Sequence, residues 1–199
     1  MIDIRKKADE MGVVIVEKES IPNAKGASFR KNGIWHIMID STETEERKNF
    51  TIAHELAEIM LYDVEDLTID EKHKKANFIA AEFLMPEEEF KKDVYNYDLY
   101  ELKKIYNGCS YEVIARRMLK FKPIVLTIYD NKRKYLRISS DLISFPSVIT
   151  DSEIKIVEEC YNIKNKYEKF KDNLHISGYF VNDGRNVERV ILLTEVLDI

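Results

Sequence analysis

The sequence predicts an α+β fold in two parts, a small N-terminal β-sheet with packed helices and a small α+β appendage. Three observations support this class. Two β-prone runs flank the Lys-Asn-Gly turn at residues 31–33, residues 50–61 carry apolar side chains at helical spacing, and two further hairpin patterns follow Pro123. We place the two domains at residues 1–122 and 123–199, a division that a chain of 199 residues accommodates.

Composition and charge exclude several classes of protein. The chain has 31 basic and 36 acidic residues, a net charge of −5, and therefore no basic surface signature of nucleic-acid binding. Its N-terminus lacks the apolar run of a secretion signal, and no apolar stretch approaches the ~20 residues of a membrane span. Cys109 and Cys160 are distant in sequence and form no metal-ligand pair, which favours thiols in a reducing compartment. We expect a cytoplasmic protein without membrane or direct nucleic-acid contacts.

The N-terminal elements precede a helix rich in ionisable side chains. In order, the pattern predicts a helix over residues 2–11 closed by Gly12, a strand over 13–17, a loop over 20–27, and a hairpin of strands 28–30 and 34–39. His36 alternates with its apolar neighbours and is expected on the opposite sheet face. The polar residues 40–46 supply N-cap candidates for the next helix.

The helix over residues 50–61 carries the first group of candidate site residues. His54 and Glu58 are four residues apart, so on a helix they lie on one face, one turn apart. Glu55 lies beside them, rotated by about 100°. An imidazole and a carboxylate at this spacing can reach one divalent cation and leave the intervening Glu to act on water. The alternative is a charged, solvent-exposed helix face without chemistry.

A second helix, over residues 71–85 and stopped by Pro86, supplies one more imidazole. His73 begins a stripe of mostly small residues continued by Ala76, Asn77, Ala80 and Leu84. Small residues let two helices pack closely, which would place His73 at one end of the contact. The alternative is an exposed histidine among three lysines.

Further helices and hairpins complete the chain. Helical faces continue through residues 87–106 and again after Ser110, in an outline that also suits a helix-turn-helix, although the acidic balance does not favour DNA binding. Beyond Pro123 the pattern predicts a hairpin of strands 124–129 and 135–139, one long helix over 151–171, and a hairpin of strands 175–181 and 187–193 around an Asp-Gly turn. His175 begins a strand without a partner pattern, so a structural or surface role is expected.

Residues 50–56, Phe-Thr-Ile-Ala-His-Glu-Leu, and residues 76–86, Ala-Asn-Phe-Ile-Ala-Ala-Glu-Phe-Leu-Met-Pro, resemble two motifs of one family. That family is the ImmA/IrrE zinc metallo-endopeptidases, associated with repressors of phages and mobile elements. Its members typically show F-T-x-A-H-E-L-x-H followed by E-x-x-A-N-x-F-A-x-x-L-L-M-P. The similarity covers roughly residues 1–120 and implies a zincin-like metallopeptidase core.

The resemblance also implies roles for individual residues. His54 matches the first zinc ligand and Glu55 the glutamate that activates water. Glu58 stands where the family has its second histidine, and His73 where it has its glutamate ligand. Two imidazoles and one carboxylate are therefore kept, with two of them exchanged, in a variant HExxE motif. Since a His₂Glu set is an established catalytic zinc set, we interpret the exchange as compensated.

The expected function is Zn²⁺-dependent, intracellular peptide hydrolysis of narrow specificity. The resemblance points to a repressor-type regulator as the protein substrate, with Glu55 as general base. The alternative is a catalytically silent regulatory or binding protein that keeps the fold. Longer family members carry a GAF-type sensor domain at the C-terminal end. The segment here is shorter, and we expect it to have a regulatory or substrate-recognition role.

Overall fold

The computed structural model describes residues 3–19, 21, 26–144, 147–182 and 187–197, and within them the fold is mixed α+β with two separate sheets. The predicted α+β class is confirmed. Internal contacts divide the chain into a first unit, Met1–Lys92 with Lys104–Ser110, and a second unit, Asp93–Lys103 with Tyr111–Ile199. The division into functional domains near residue 122 stays a prediction.

The first unit contains a three-stranded sheet. Helix α1 (Ile4–Glu10) is followed by strands β1 (Val14–Lys18), β2 (Gly26–Lys31) and β3 (Ile34–Asp40). The order is β1-β3-β2, with β1 parallel and β2 antiparallel to β3, so β2 is an edge strand. The predicted hairpin is present, but β2 begins at Gly26, inside the segment interpreted as a loop. Of that loop, residue 20 and residues 22–25 lie outside the described residues.

Helix α2 (Glu45–Met60) lies against β2 and β3 and covers the inner face of this sheet. Thr44 caps its N-terminus by accepting a hydrogen bond from the Arg47 N–H, so the helix begins one turn before the predicted start. The alternation along β3 buries Ile37 and Ile39, and the sheet-facing stripe of α2 is buried with them.

Helix α3 (Ile69–Leu84) packs on α2. Its first turn is fixed by a capping box in which Thr68 and Glu71 exchange hydrogen bonds between side chains and backbone N–H groups. Ala57 of α2 and Leu61, the residue that caps its C-terminus, form one buried cluster with Ala76 of α3. The small alanine side chains allow the two helix backbones to approach closely, as the sequence predicted. Helices α4 (Glu87–Asn96), α5 (Leu99–Ile105) and α6 (Tyr111–Met118) follow.

The larger sheet belongs to the second unit and is antiparallel throughout. It consists of β4 (Ile124–Asp130), β5 (Arg133–Ser139), β6 (Tyr167–Lys171), β7 (Leu174–Asn182) and β8 (Glu188–Val196), in the order β5-β4-β8-β7-β6. Both predicted hairpins are present, and the predicted Asp-Gly turn at residues 183–184 lies outside the described residues. Helix α7 (Asp151–Ile163) packs on β7 and β8.

The single helix predicted over residues 151–171 is wrong. Helix α7 ends at Ile163, Lys164 adopts a left-handed conformation with φ 54°, and the remaining residues form edge strand β6. The physical reason is visible in the spacing. Ile154, Val157 and Tyr161 keep the helical period, but the residues three and four positions after Tyr161 are Lys164 and Asn165, so no apolar side chain continues this helix face.

The described chain contains no helix that combines the length and the apolar character needed to cross a membrane.

Candidate metal centre

Two helices bring three potential metal-ligating side chains together. His54 and Glu58, one turn apart on α2, are joined by a 3.1 Å contact between Nε2 and Oε1. His73, in the second turn of α3, contacts the same Glu58 oxygen through Nδ1 at 2.7 Å. The two imidazole rings are nearly perpendicular, with centroids 4.7 Å apart. The structure therefore places all three predicted ligand residues in one cluster.

The geometry of this cluster suits a divalent cation. One potential ligand atom from each residue lies within 4.8 Å of the other two. Ligand atoms bound to a tetrahedral zinc at about 2.0–2.2 Å are separated by roughly 3.3–3.6 Å. The contacts of His54 and His73 with Glu58, at 3.1 and 2.7 Å, are roughly 0.2–0.9 Å shorter than this, so the side chains would move apart to hold zinc. Two imidazoles and one carboxylate are also a donor set that zinc accepts.

Exposure differs between the two histidines in a way that leaves the cluster accessible. The His54 side chain is 12% exposed, whereas the His73 side chain is 62% exposed. In the part of the chain that the structure describes, the buried Nδ1 atom of His54 has no hydrogen-bond partner. Zinc-binding imidazoles usually donate this second N–H to a carboxylate or carbonyl. The donor set fits a metal, but in the described residues no such second partner holds His54 Nδ1, and the ring is oriented by its Nε2 contact with Glu58 and by stacking on Phe50.

Glu55 is the buried carboxylate beside the cluster. The residue is 8% exposed, and strand β2 lies beside it at Gly26. Burial raises the pKa of its carboxyl above the ordinary value. The polar groups of nearby Ser28 oppose this rise, the Glu58 charge adds to it, and the His54 charge opposes it. A carboxyl with a raised pKa next to a metal-type cluster is suited to proton transfer.

Sequence reasoning missed Ser28 and Gly26, which place the sheet edge against Glu55. A Cβ atom at Gly26 would lie only 2.2 Å from Thr51 Cγ2 and 3.5 Å from Glu55 Oε1, so this position requires glycine. The sequence offered one weak signal: Gly26 and Ser28 are alternate residues of a strand and hence share a face. Their contact with α2 is a long-range feature that no local pattern encodes.

The other histidines and the cysteines lie in different surroundings. His36 stacks on Phe29 and contacts the carbonyl of Ile34, and His175 contacts Glu168 and stacks on Phe170. Neither histidine belongs to the cluster of metal-type ligands found in the described residues. Cys109 and Cys160 are both buried, and burial raises the pKa of the Cys160 thiol to about 11, far from thiolate chemistry.

Comparisons with known proteins show a family and a fold. A search of curated proteins found no match. Among solved structures, a Mycobacterium tuberculosis transcriptional regulator matches with a TM-score of 0.68 and 16% sequence identity, over 97% of this chain and 68% of that one. At this identity the similarity concerns the fold alone. The model of the Peptidase_M78 family, described as the IrrE N-terminal-like domain, matches residues 8–119, which span both the sheet and the metal-type cluster. The chain therefore belongs to the ImmA/IrrE family of M78 peptidases.

Proposed function

We propose that this protein is an intracellular, zinc-dependent endopeptidase of narrow specificity whose substrate is a repressor-type regulator. His54, Glu58 and His73 hold the metal, and Glu55 is the general base. The observation that carries the proposal is the convergence of the three ligand side chains from α2 and α3 beside a buried glutamate. Family membership supports the reaction class. The repressor-type substrate rests on the family resemblance of the two motifs.

In the proposed hydrolysis the metal ligands and Glu55 have different roles. Zinc held at this cluster supplies Lewis acidity, which lowers the pKa of water and polarises the scissile carbonyl. Glu55 takes the proton from the attacking water and delivers it to the leaving amine. Its burial keeps bulk water away from the carboxylate.

The first arm of the test measures the metal. The wild-type protein, loaded with zinc and desalted, should retain about one equivalent by elemental analysis. His54→Ala and His73→Ala should each lose it. The matched control is His175→Ala, because His175 also contacts a glutamate but lies in the second sheet. Zinc content unchanged in both ligand variants would overturn the ligand assignment.

The second arm measures cleavage. A proteome-derived peptide library is incubated with the zinc-loaded protein, and new termini are identified by mass spectrometry. We expect a small set of related cleavage sites, with rates about 10²- to 10⁴-fold lower for Glu55→Gln because the general base is lost. The peptidase proposal is contradicted if no peptide of the library is cleaved faster by the wild-type protein than by Glu55→Gln.

One observation favours a second candidate, a catalytically silent binding protein. Glu58 already contacts both imidazoles through one oxygen, so one ring nitrogen of each histidine has a partner at the helix interface without a cation. In that case Glu55→Gln should change nothing in any assay, and zinc should be absent from the wild-type protein or bound without cleavage.

A further inference from the structure

The three-stranded sheet has one face that the described chain leaves exposed. Alternation along β3 turns Ile37 and Ile39 inward against α2, so the residues next to them point to the opposite side. We call this opposite side of the sheet the outer face. Its apolar and aromatic side chains are Val14, Val16, Phe29, Ile34, His36 and Met38.

The strand register makes the outer face one continuous patch. His36 pairs with Val14 on one side and with Phe29 on the other, and the rings of Phe29 and His36 stack with centroids 5.2 Å apart. Val16 pairs with Met38 in the next row of the sheet. Four of the six residues of the patch are between 38% and 48% exposed.

A continuous apolar patch is unusual on a protein surface, where exposed apolar side chains are normally scattered singly. Strands β1 and β3 are parallel, and parallel strands normally have both sheet faces covered. Here α2 covers the inner face. Within the described residues the outer face has no second layer, so a partner molecule can supply one.

The charges at the two ends of the outer face identify the partner. Lys31 pairs with Ile34 at one end, and Asp40 pairs with Lys18 at the other. The Asp40 carboxylate is held in place by the N–H and the hydroxyl of Thr42, at 2.9 and 2.6 Å. Turning one face end for end brings the carboxylate of each copy towards Lys31 of the other. The pattern is therefore complementary to a reversed copy of itself.

This charge pattern also selects one arrangement of two copies. Identical faces packed on each other are related by a two-fold axis that lies in the plane between them. An axis along the strands places Asp40 of both copies opposite each other, so that like charges meet. An axis across the strands places Asp40 of each copy near Lys31 of the second copy, while the apolar rows face one another.

We propose that the outer face is the interface of a homodimer in which two copies of the three-stranded sheet pack face to face with their strands reversed. The inference is independent of the proposed function, because the residues of the outer face do not belong to the metal-type cluster.

The size of the outer face limits the affinity of this contact. Three strands about 4.8 Å apart and four residues of about 3.3 Å each give a face of roughly 14 by 13 Å. Standard interfaces bury about 800 Å² on each partner, so this contact lies at the low end of the size range. We expect a reversible dimer with a dissociation constant on the order of 10⁻⁵ to 10⁻⁴ M.

Sedimentation velocity of the full chain at about 5 to 500 µM tests the association, since this range brackets the expected dissociation constant. The double variant Val14→Thr/Val16→Thr keeps the β-branched shape and places hydroxyl groups in the interface. It should raise the dissociation constant by about tenfold or more. The matched control is Val148→Thr, at an exposed valine of the second unit, which should dimerise like the wild type. Circular dichroism checks that each variant is folded.

A second variant tests the arrangement through its charges. Lys31→Glu places a carboxylate near Asp40 of the second copy, so at low ionic strength the dissociation constant should rise by about threefold or more, an effect that added salt reduces. Lys169→Glu makes the same charge change on strand β6 and is the control. The proposal is overturned if the wild type stays monomeric over the whole range, if the valine variant dimerises as strongly as the wild type, or if Lys31→Glu and Lys169→Glu behave alike.

Discussion

Glu55 in the first unit and Glu153 in the second are both buried glutamates on helices. They differ in how far charged and hydrogen-bonding partners compensate for the burial of the carboxylate. Glu153 is 0% exposed and forms an ion pair with Arg137 at 3.1 Å. Its carboxylate also accepts hydrogen bonds from the Thr194 hydroxyl at 2.6 Å and from the Thr150 N–H at 2.8 Å. Burial acts to raise the pKa of Glu153, but these partners outweigh it and the pKa falls below the ordinary value.

For Glu55 the effect of burial on the pKa outweighs the effect of the partners that lower it. Burial of its carboxyl is the largest influence, the neighbouring Glu58 adds a like charge, and the pKa of the carboxyl is raised because the polar groups of Ser28 and the His54 charge do not compensate. Burial of a carboxylate therefore does not by itself indicate function. A fully compensated carboxylate stabilises the fold, whereas an under-compensated one beside a ligand cluster retains the capacity to accept a proton.

The largest loss of stability is expected when Glu153, the fully compensated carboxylate, is replaced. Glu153→Ala leaves the Arg137 guanidinium buried without its carboxylate partner, so the free energy of unfolding should fall by about 3–5 kcal/mol. Urea denaturation followed by circular dichroism measures the change. Glu158→Ala, an exposed position on the same helix, is the control and should stay within about 0.5 kcal/mol of wild type. A similar, small change for both variants would contradict the role assigned to the ion pair.

The same pair predicts a dependence of stability on pH. Since the folded pKa of Glu153 lies below its ordinary value of 4.5, its contribution is complete above about pH 4.5 and is lost as the pH falls through the folded pKa. The difference in unfolding free energy between wild type and Glu153→Gln should therefore be constant near neutral pH and shrink in acid. A difference that grows on acidification would show the opposite sign.

The smallest effect is expected at Glu55. Replacement of a poorly compensated carboxylate by its neutral isostere in Glu55→Gln should change the unfolding free energy by less than about 1 kcal/mol, and the change can be stabilising. The zinc-free protein is used for the measurement, which isolates the carboxylate from any metal. A loss as large as that of Glu153→Ala would mean that Glu55 is a structural residue.

The sequence predicted those elements whose structure depends on interactions between residues close together in the chain. The hairpin turn at Gly33 and the two helices with His54 and His73 follow from turn chemistry and helical spacing. The approach of His73 to Glu58 was accessible because the alanine stripe indicates close helix packing. That these side chains hold a metal stays a prediction.

Contacts distant in sequence could not be predicted. Gly26 approaches Glu55, and Arg137 meets Glu153, only after a sheet and a helix have docked, and neither pair has a sequence spacing that signals it. The wrong helix over residues 151–171 has a related cause. Residues 167–171 become strand β6 because β7 offers a partner, and an isolated segment does not reveal its partner.

The edges of the larger sheet have a consequence for self-association. Its outer strands β5 and β6 carry exposed cationic side chains, among them Lys134, Lys169 and Lys171. If a second copy added a strand to either edge, lysines of the two copies would come close together, which disfavours such pairing. These lysines therefore counteract the exposed aromatic side chains of the same strands, such as Tyr135 and Phe170.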